Sequence, residues 1–164
     1  MSAEEPVRWL GDDEHRAWIN LAKVLLTLPG ALESQLLRDA DLTLLGYMIL
    51  ARLSVVPGES LRMSEIAEMA NGSLPRISHA VARLEARGWV TREVRTGQGR
   101  RFTTATLTDA GRAHLAASAP GHVATVRRLV VEPLGEDFVR LGDAVERIVE
   151  NLGLPTEVLD AGKR

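Results

Sequence analysis

Apolar residues recur at helical spacing through Trp18, Leu21, Ala22, Leu25 and Leu28. Asp12-Asp13-Glu14 precedes them, placing a capping residue and negative charge where a helix start has free amides and a positive dipole end. A helix is therefore expected from about residue 12. Pro29-Gly30 should kink or interrupt it before residues 31–38 carry it on. A second helix is predicted after Asp41 or Thr43, through Tyr47, Leu50, Ala51 and Leu53, ending at the turn Pro57-Gly58-Glu59-Ser60. The first ten residues, with Pro6 and then Gly11, read as a mobile arm.

The next stretch changes character. Residues 64–70 make a helix of barely two turns, capped by Ser64, and Asn71-Gly72 stops it because both tolerate the left-handed conformation. Ser73 caps a new helix whose first turn accommodates Pro75. Leu74, Ile77, Val81 and Leu84 mark its buried face, Arg76, Ser78, His79, Arg83 and Arg87 fill much of the rest, and Gly88 ends it. A short helix, a tight turn and a longer helix with a polar, basic start is the shape of a helix-turn-helix. Residues 89–94 and 102–107 are rich in β-branched and aromatic residues around the turn Thr96-Gly97-Gln98-Gly99. They predict a two-stranded hairpin with Arg95, Arg100 and Arg101 about its tip, which after a helix-turn-helix is a wing.

Thr108-Asp109 then caps another helix, obscured at Pro120-Gly121 and resuming through Val123, Val126, Leu129 and Val130. Pro133-Leu134-Gly135 breaks it. A last amphipathic helix follows through Phe138, Leu141, Val145, Ile148 and Leu152, with a frayed tail after Gly153. The expected architecture is mainly α with a small two-stranded β-wing: one unit over residues 1–164, with a winged helix-turn-helix at 41–107 flanked by dimerisation helices at 12–40 and 108–152. A winged region of under 100 residues does not need all the apolar residues of the flanking helices, so they should bury against a symmetry mate.

Charge sharpens this picture more than bulk composition does. The 164 residues carry a net charge of −2, yet between Arg62 and Arg101 eight arginines face four acids. The local balance of +4 leaves −6 on the remainder. A basic centre between acidic ends suggests a localised polyanion-binding surface. With no cysteine, disulfides, thiolate catalysis and cysteine-ligated zinc are excluded. No apolar run approaches a membrane span and no secretory signal is visible, so a cytoplasmic protein without membrane contact is expected.

In order and spacing, Leu61-Arg62-Met63-Ser64-Glu65-Ile66-Ala67, then Arg83-Leu84-Glu85-Ala86-Arg87-Gly88-Trp89-Val90, then Gly99-Arg100-Arg101 and Leu107-Thr108-Asp109-Ala110-Gly111 resemble the multiple-antibiotic-resistance regulator (MarR) family of bacterial winged-helix transcription factors. The resemblance covers nearly the whole chain. It implies a homodimer held by terminal helices, a pseudo-palindromic operator in double-stranded DNA, and a small-molecule effector between the dimer helices and the winged domain. One departure stands out: the family's wing commonly carries an acidic residue before the paired arginines, whereas here Gly99 precedes them and Gln98 is the nearest polar neighbour.

On this reading Ser64, Ser73, Pro75, Arg76, Ser78 and His79 reach DNA from the helix-turn-helix. Arg76 is the candidate for a bidentate guanine contact worth roughly 1–3 kcal/mol of base discrimination. Arg83 holds the backbone, and Arg95, Arg100 and Arg101 approach the minor groove. Adjacent strand residues alternate faces, so Arg100 is expected outward and Arg101 as a support or phosphate contact. Trp18, Leu44 and Tyr47 are the candidate lining of an effector pocket. His114 and His122, eight apart across Pro120-Gly121, do not make dependable metal-ligand spacing, and His15 lies beside Glu14. No metal, cofactor or catalytic constellation is expected. The function expected is a DNA-binding regulator, a repressor released by an effector. The alternative is a winged-helix dimer serving as a protein-interaction or small-molecule-binding module without DNA binding.

Overall fold

The computed structural model describes residues 7–97 and 99–154. Part of the N-terminal arm, the tail beyond residue 154 and Gln98 at the wing tip lie outside the described residues. The chain runs α1 (Asp12–Ala40), α2 (Leu44–Val55), a 3-10 turn (Pro57–Glu59), β1 (Ser60–Arg62), α3 (Met63–Met69), α4 (Leu74–Ala86), β2 (Val90–Gly97), β3 (Arg100–Leu107), α5 (Asp109–Val126), a π-turn (Arg127–Val131), α6 (Glu132–Leu134) and α7 (Asp137–Asn151).

Helix α1 is continuous through Pro29-Gly30 rather than interrupted there. The helix beyond Gly30 carries the buried Gln35 and Leu36, and this tertiary anchoring outweighs the hydrogen bond that proline removes. Helix α2 starts as its cap predicts, with Gly46 N donating to Thr43 Oγ1 at 3.0 Å. The wing carries a third strand that the sequence pattern did not reveal. In the antiparallel order β1-β3-β2, Ser60, Leu61 and Arg62 pair with Thr106, Ala105 and Thr104. So short a strand cannot display alternation, and its partners lie far away in the chain.

The core gathers where α1, α2, α3, α4 and the sheet base meet. Leu36, Leu42, Ile49, Leu50, Leu53, Ile66, Ile77, Val81 and Val90 are fully buried there. Leu74, expected on the buried face of α4, is 55% exposed, because it is the first residue of the helix and projects beyond the core. Helix α7 contributes nothing to the core: none of its residues is buried. Its Phe138, Leu141, Val145 and Ile148 recur at the spacing of a single face and all stand in solvent, as do Trp18, Val24, Leu25 and Leu26 of α1. Among the described residues no helix is long and apolar enough to cross a membrane.

Candidate nucleic-acid interface

The helix-turn-helix is defined by its two helix ends. Helix α3 closes with Asn71 in the left-handed region at φ 42°, while Asn71 N donates to Glu68 O at 3.0 Å and Gly72 N to Ala67 O at 2.9 Å. This Schellman-like pairing satisfies the last carbonyls of the helix and reverses the chain within two residues. Helix α4 ends the same way: Gly88 has φ 73°, Gly88 N donates to Glu85 O at 2.8 Å, and Trp89 N to Leu84 O at 3.0 Å.

The starts differ from expectation. Helix α3 begins at Met63 with Arg62 at its N-cap, so Ser64 sits inside the first turn rather than capping it. The cap is supplied from the far side, because Glu65 Oε2 accepts from Arg62 N at 2.6 Å. Three residues later than the cap, a glutamate can reach back to the free amide, so Arg62 can occupy a position that usually favours a short oxygen-bearing side chain. Ser73 is at the N-cap of α4 as predicted, with Pro75 in the first turn, but its hydroxyl makes no capping hydrogen bond.

Helix α4 splits cleanly into two faces. Ile77, Val81 and Leu84 are buried, and Ser73, Pro75, Arg76, Ser78, His79 and Arg83 are all exposed, as is Ser64 on α3. In the wing, Arg95 pairs across the strands with Phe102, Thr96 with Arg101, and Gly97 with Arg100. Strand alternation therefore puts Arg100 on one face with Arg95 and Phe102, and Arg101 on the other.

The basic residues of the central third divide by partner. Arg87 pairs with Asp41, and Arg92 with Glu85, Nε to Oε2 at 2.8 Å. That bond holds the Glu85 carboxyl below its usual range, with burial opposing it. Arg95 donates to Glu93 at 2.9 Å, so this predicted wing contact is already engaged by a carboxylate. Arg76, Arg83, Arg100 and Arg101 have no ion-pair partner among the described residues.

The residues suggested for an effector pocket are not assembled within one chain. Leu44 and Tyr47 lie one turn apart on α2, half-buried and buried respectively. Trp18 is 51% exposed on α1, about 25 Å along that helix from Gln35 at ~1.5 Å per residue. Tyr47 instead belongs to the buried apolar core, with polar groups at its margin. Its ring meets that of His122, with centroids 4.3 Å apart. Gln35 Nε2 lies beside the neighbouring Gly121, 3.3 Å from where a Cβ would project. Gln35 Oε1 and His122 Nδ1 are buried with no hydrogen-bond partner. Burial alone lowers the His122 pKa and raises that of the Tyr47 hydroxyl. His114, the other histidine considered as a ligand, lies with Nε2 2.9 Å from Ala40 O and stacks on Trp89 at 3.9 Å.

Sequence reasoning passed over Gln35 and weighed His122 only as a metal ligand, because the approach of their two helices depends on packing. It also passed over a contact between Arg62 and Phe102, where the guanidinium carbon lies 4.2 Å above the ring centroid.

A model of the MarR family matches residues 40–101, the stretch from the end of α1 to the wing tip. No curated protein matches this chain. Among solved structures, the fold superposes on Sco3205, a MarR family transcriptional regulator from Streptomyces coelicolor crystallised with DNA. That match has a TM-score of 0.81 and 38% identity over 93% of this chain and 95% of the other. AbsC, a MarR family transcriptional regulator from the same organism, matches with a TM-score of 0.80 and 36% identity over 90% of this chain and 99% of its own. CouR from Rhodococcus jostii RHA1, solved with p-coumaroyl-CoA bound, has the same fold at a TM-score of 0.68 and 19% identity, covering 87% of this chain and 94% of its own.

Proposed function

Since this chain belongs to the MarR family of transcriptional regulators, which are not enzymes, we propose that it is a cytoplasmic homodimer that binds a pseudo-palindromic operator, represses transcription there and is released by a small-molecule effector. The division of the arginines carries this reading. Arg87, Arg92 and Arg95 have carboxylate partners within the chain, whereas Arg76, Arg83, Arg100 and Arg101 stand exposed, with no such partner among the described residues. A set of unneutralised guanidinium groups is costly in self-repulsion unless a polyanion meets it. The DNA complex of Sco3205 supports the same conclusion.

In this arrangement the start of α4 enters the major groove. Ser73, Pro75, Arg76, Ser78 and His79 face base edges and nearby phosphates, Ser64 and Arg83 hold the backbone, Arg100 and Arg101 follow the minor groove beside it, and Arg95 reaches that groove only by exchanging Glu93 for a phosphate. The solvent-facing apolar residues of α1 and α7 are the dimer surface, since exposed apolar faces of this extent mark interaction sites. Trp18 belongs to that surface. The effector acts at the junction of α1, α2 and α5, where Tyr47, one turn from Leu44, meets the His122 ring and Gln35 lies beside Gly121. CouR, with its bound p-coumaroyl-CoA, is a protein of this fold that holds a small molecule. Such a ligand shifts the equilibrium only by its differential affinity for the two states.

Selection from a random duplex pool tests the proposal, with the affinity of the winners followed against salt. The expected product is an inverted repeat with half-site centres roughly 34 Å apart, bound by two chains with an affinity that falls steeply as salt rises. Recovery of no consensus, or of binding indifferent to salt, would overturn the DNA reading.

A further inference from the structure

Three observations converge on the edge of the wing. First, Arg62 sits where β1 passes into α3, and its side chain is exposed. Its guanidinium lies over the Phe102 ring. Second, the ring is held close to the neighbouring strand. Phe102 lies against Gly97 of β2, where an added Cβ would come within 3.1 Å of Cε1. The residue opposite Arg100 is thus one with no side chain to displace the ring. Third, the register puts Arg62, Arg95, Arg100 and Phe102 on one face of the three-stranded sheet. Arg62 pairs with Thr104 and Thr104 with Glu93, while Arg95 pairs with Phe102 in the next row of that face.

The chemistry of the stack leaves something undone. A guanidinium held over an aromatic ring keeps N–H groups free for an anion. Arg62 has no carboxylate partner among the described residues. The nearby Glu65 is committed to the Arg62 backbone amide, and Glu93, on the same face, to Arg95. A cap position that ordinarily favours serine, threonine or aspartate thus holds a positive charge, oriented and unneutralised. Local rules broken in this way tend to mark functional positions.

We propose that Arg62 is a DNA-backbone contact joining the wing to the helix-turn-helix, and that Phe102 is its positioning residue. The anion it takes is a duplex phosphate between the groove entered by α4 and the groove followed by the wing tip. Phe102, held against Gly97, fixes where that charge is presented and ties β1 and the start of α3 to the wing. This inference rests on the proposed DNA-binding function.

The test uses the full chain with the selected operator and a random duplex of equal length, measuring binding by fluorescence anisotropy over a salt series. Arg62→Gln should weaken both duplexes alike, on the order of tenfold for each charge-assisted hydrogen bond removed, one per chain of the dimer. It should also lower the slope of log affinity against log salt by about 0.9 for each phosphate left unneutralised. Arg62→Lys should retain the slope. Phe102→Leu should weaken binding, and in its background Arg62→Gln should have little further effect, the non-additivity expected of a coupled pair. A wild-type slope in Arg62→Gln overturns the inference, even if affinity falls, because a merely structural residue would not carry a phosphate. Additive effects of the two substitutions overturn the role given to Phe102. Failure of the wild-type chain to bind either duplex in a salt-dependent way refutes the DNA reading itself, and this inference with it.

Discussion

Gly111 offers the sharpest test of how α4 is held. It lies in the first turn of α5, where its amide donates to Thr108 Oγ1 at 3.0 Å. A Cβ at this position would fall on the Trp89 carbonyl oxygen and within 2.9 Å of both Trp89 C and Leu107 Cδ1. Two of these are backbone atoms, which no rotamer change can move. Relief requires α5 to back away, and that strains the Thr108 N to Trp89 O bond at 3.1 Å and the Thr108 Oγ1 to Gly88 O bond at 2.7 Å. Overpacking costs about 1–3 kcal/mol, and each weakened hydrogen bond about 0.5–1.5 kcal/mol. Alanine's better helix propensity returns about 0.8–1 kcal/mol. Gly111→Ala should therefore destabilise by about 1–5 kcal/mol. Urea unfolding at one fixed protein concentration measures it, the fixed concentration mattering because an oligomer's midpoint depends on it. Gly30→Ala is the contrast, since a Cβ there meets nothing within 4 Å, and it should gain up to about 1 kcal/mol. A Gly111→Ala midpoint equal to wild type would refute the close packing of α5 on Trp89.

Other outcomes follow from the same geometry. Arg76→Ala should relax base preference at one position of each half-site, costing roughly 1–3 kcal/mol per half-site, whereas Arg83→Ala should weaken all duplexes alike and reduce the salt slope by about 0.9 for each of the two phosphates released. Comparing the two variants on operator and random DNA checks the assignment. Leu141→Glu, on the exposed face of α7, should leave the winged core folded but shift sedimentation toward a single chain; an unchanged mass would remove α7 from the dimer surface. Burial holds the His122 imidazole below its ordinary pKa of 6.5, so the unfolded chain takes up its proton at a higher pH than the folded one. The stability this group contributes is complete above about pH 6.5 and is lost as the pH falls toward the folded value. His122→Gln should flatten that part of the thermal midpoint against pH, and an identical profile in both proteins would contradict the burial argument.

What could be read from the sequence was local. Thr43 and Thr108 cap helices α2 and α5, and Asn71 and Gly88 end α3 and α4, because caps and left-handed turns are decided within a few residues. The outward placement of Arg76 and Arg83 was also legible, since α4 shows a buried stripe at Ile77, Val81 and Leu84 and leaves the rest outside. What escaped was nonlocal. Strand β1 is visible only once β3 lies beside it. Glu65 displaces Ser64 from the capping role because its reach back to Arg62 depends on where the strand ends. The polar junction of Gln35, Tyr47 and His122 draws on three helices. No periodicity along one helix can report that the ring against Tyr47 comes from a helix much later in the chain.

The packing around Trp89 bears on how an effector could act. The end of α4 is bound to α5 at several points: Thr108 Oγ1 on Gly88 O, Thr108 N on Trp89 O, and His114 stacked on the Trp89 ring. His114 Nε2 also reaches Ala40 O at the end of α1, and Arg87 pairs with Asp41 just beyond it. Helix α4 is therefore fixed at its C-terminal end to both α1 and α5. Packed interfaces of this kind switch between arrangements rather than deforming continuously. In the proposed dimer, displacement of α1 or α5 near Tyr47 would then carry α4 along as a body, changing the separation of the two α4 helices more readily than the conformation of either. The Gly111→Ala variant separates these possibilities. If α4 is carried rigidly, loosening its attachment to α5 should reduce an effector's influence on operator affinity by more than it reduces the affinity itself. If the effector instead acts within the helix-turn-helix, that influence should survive the substitution.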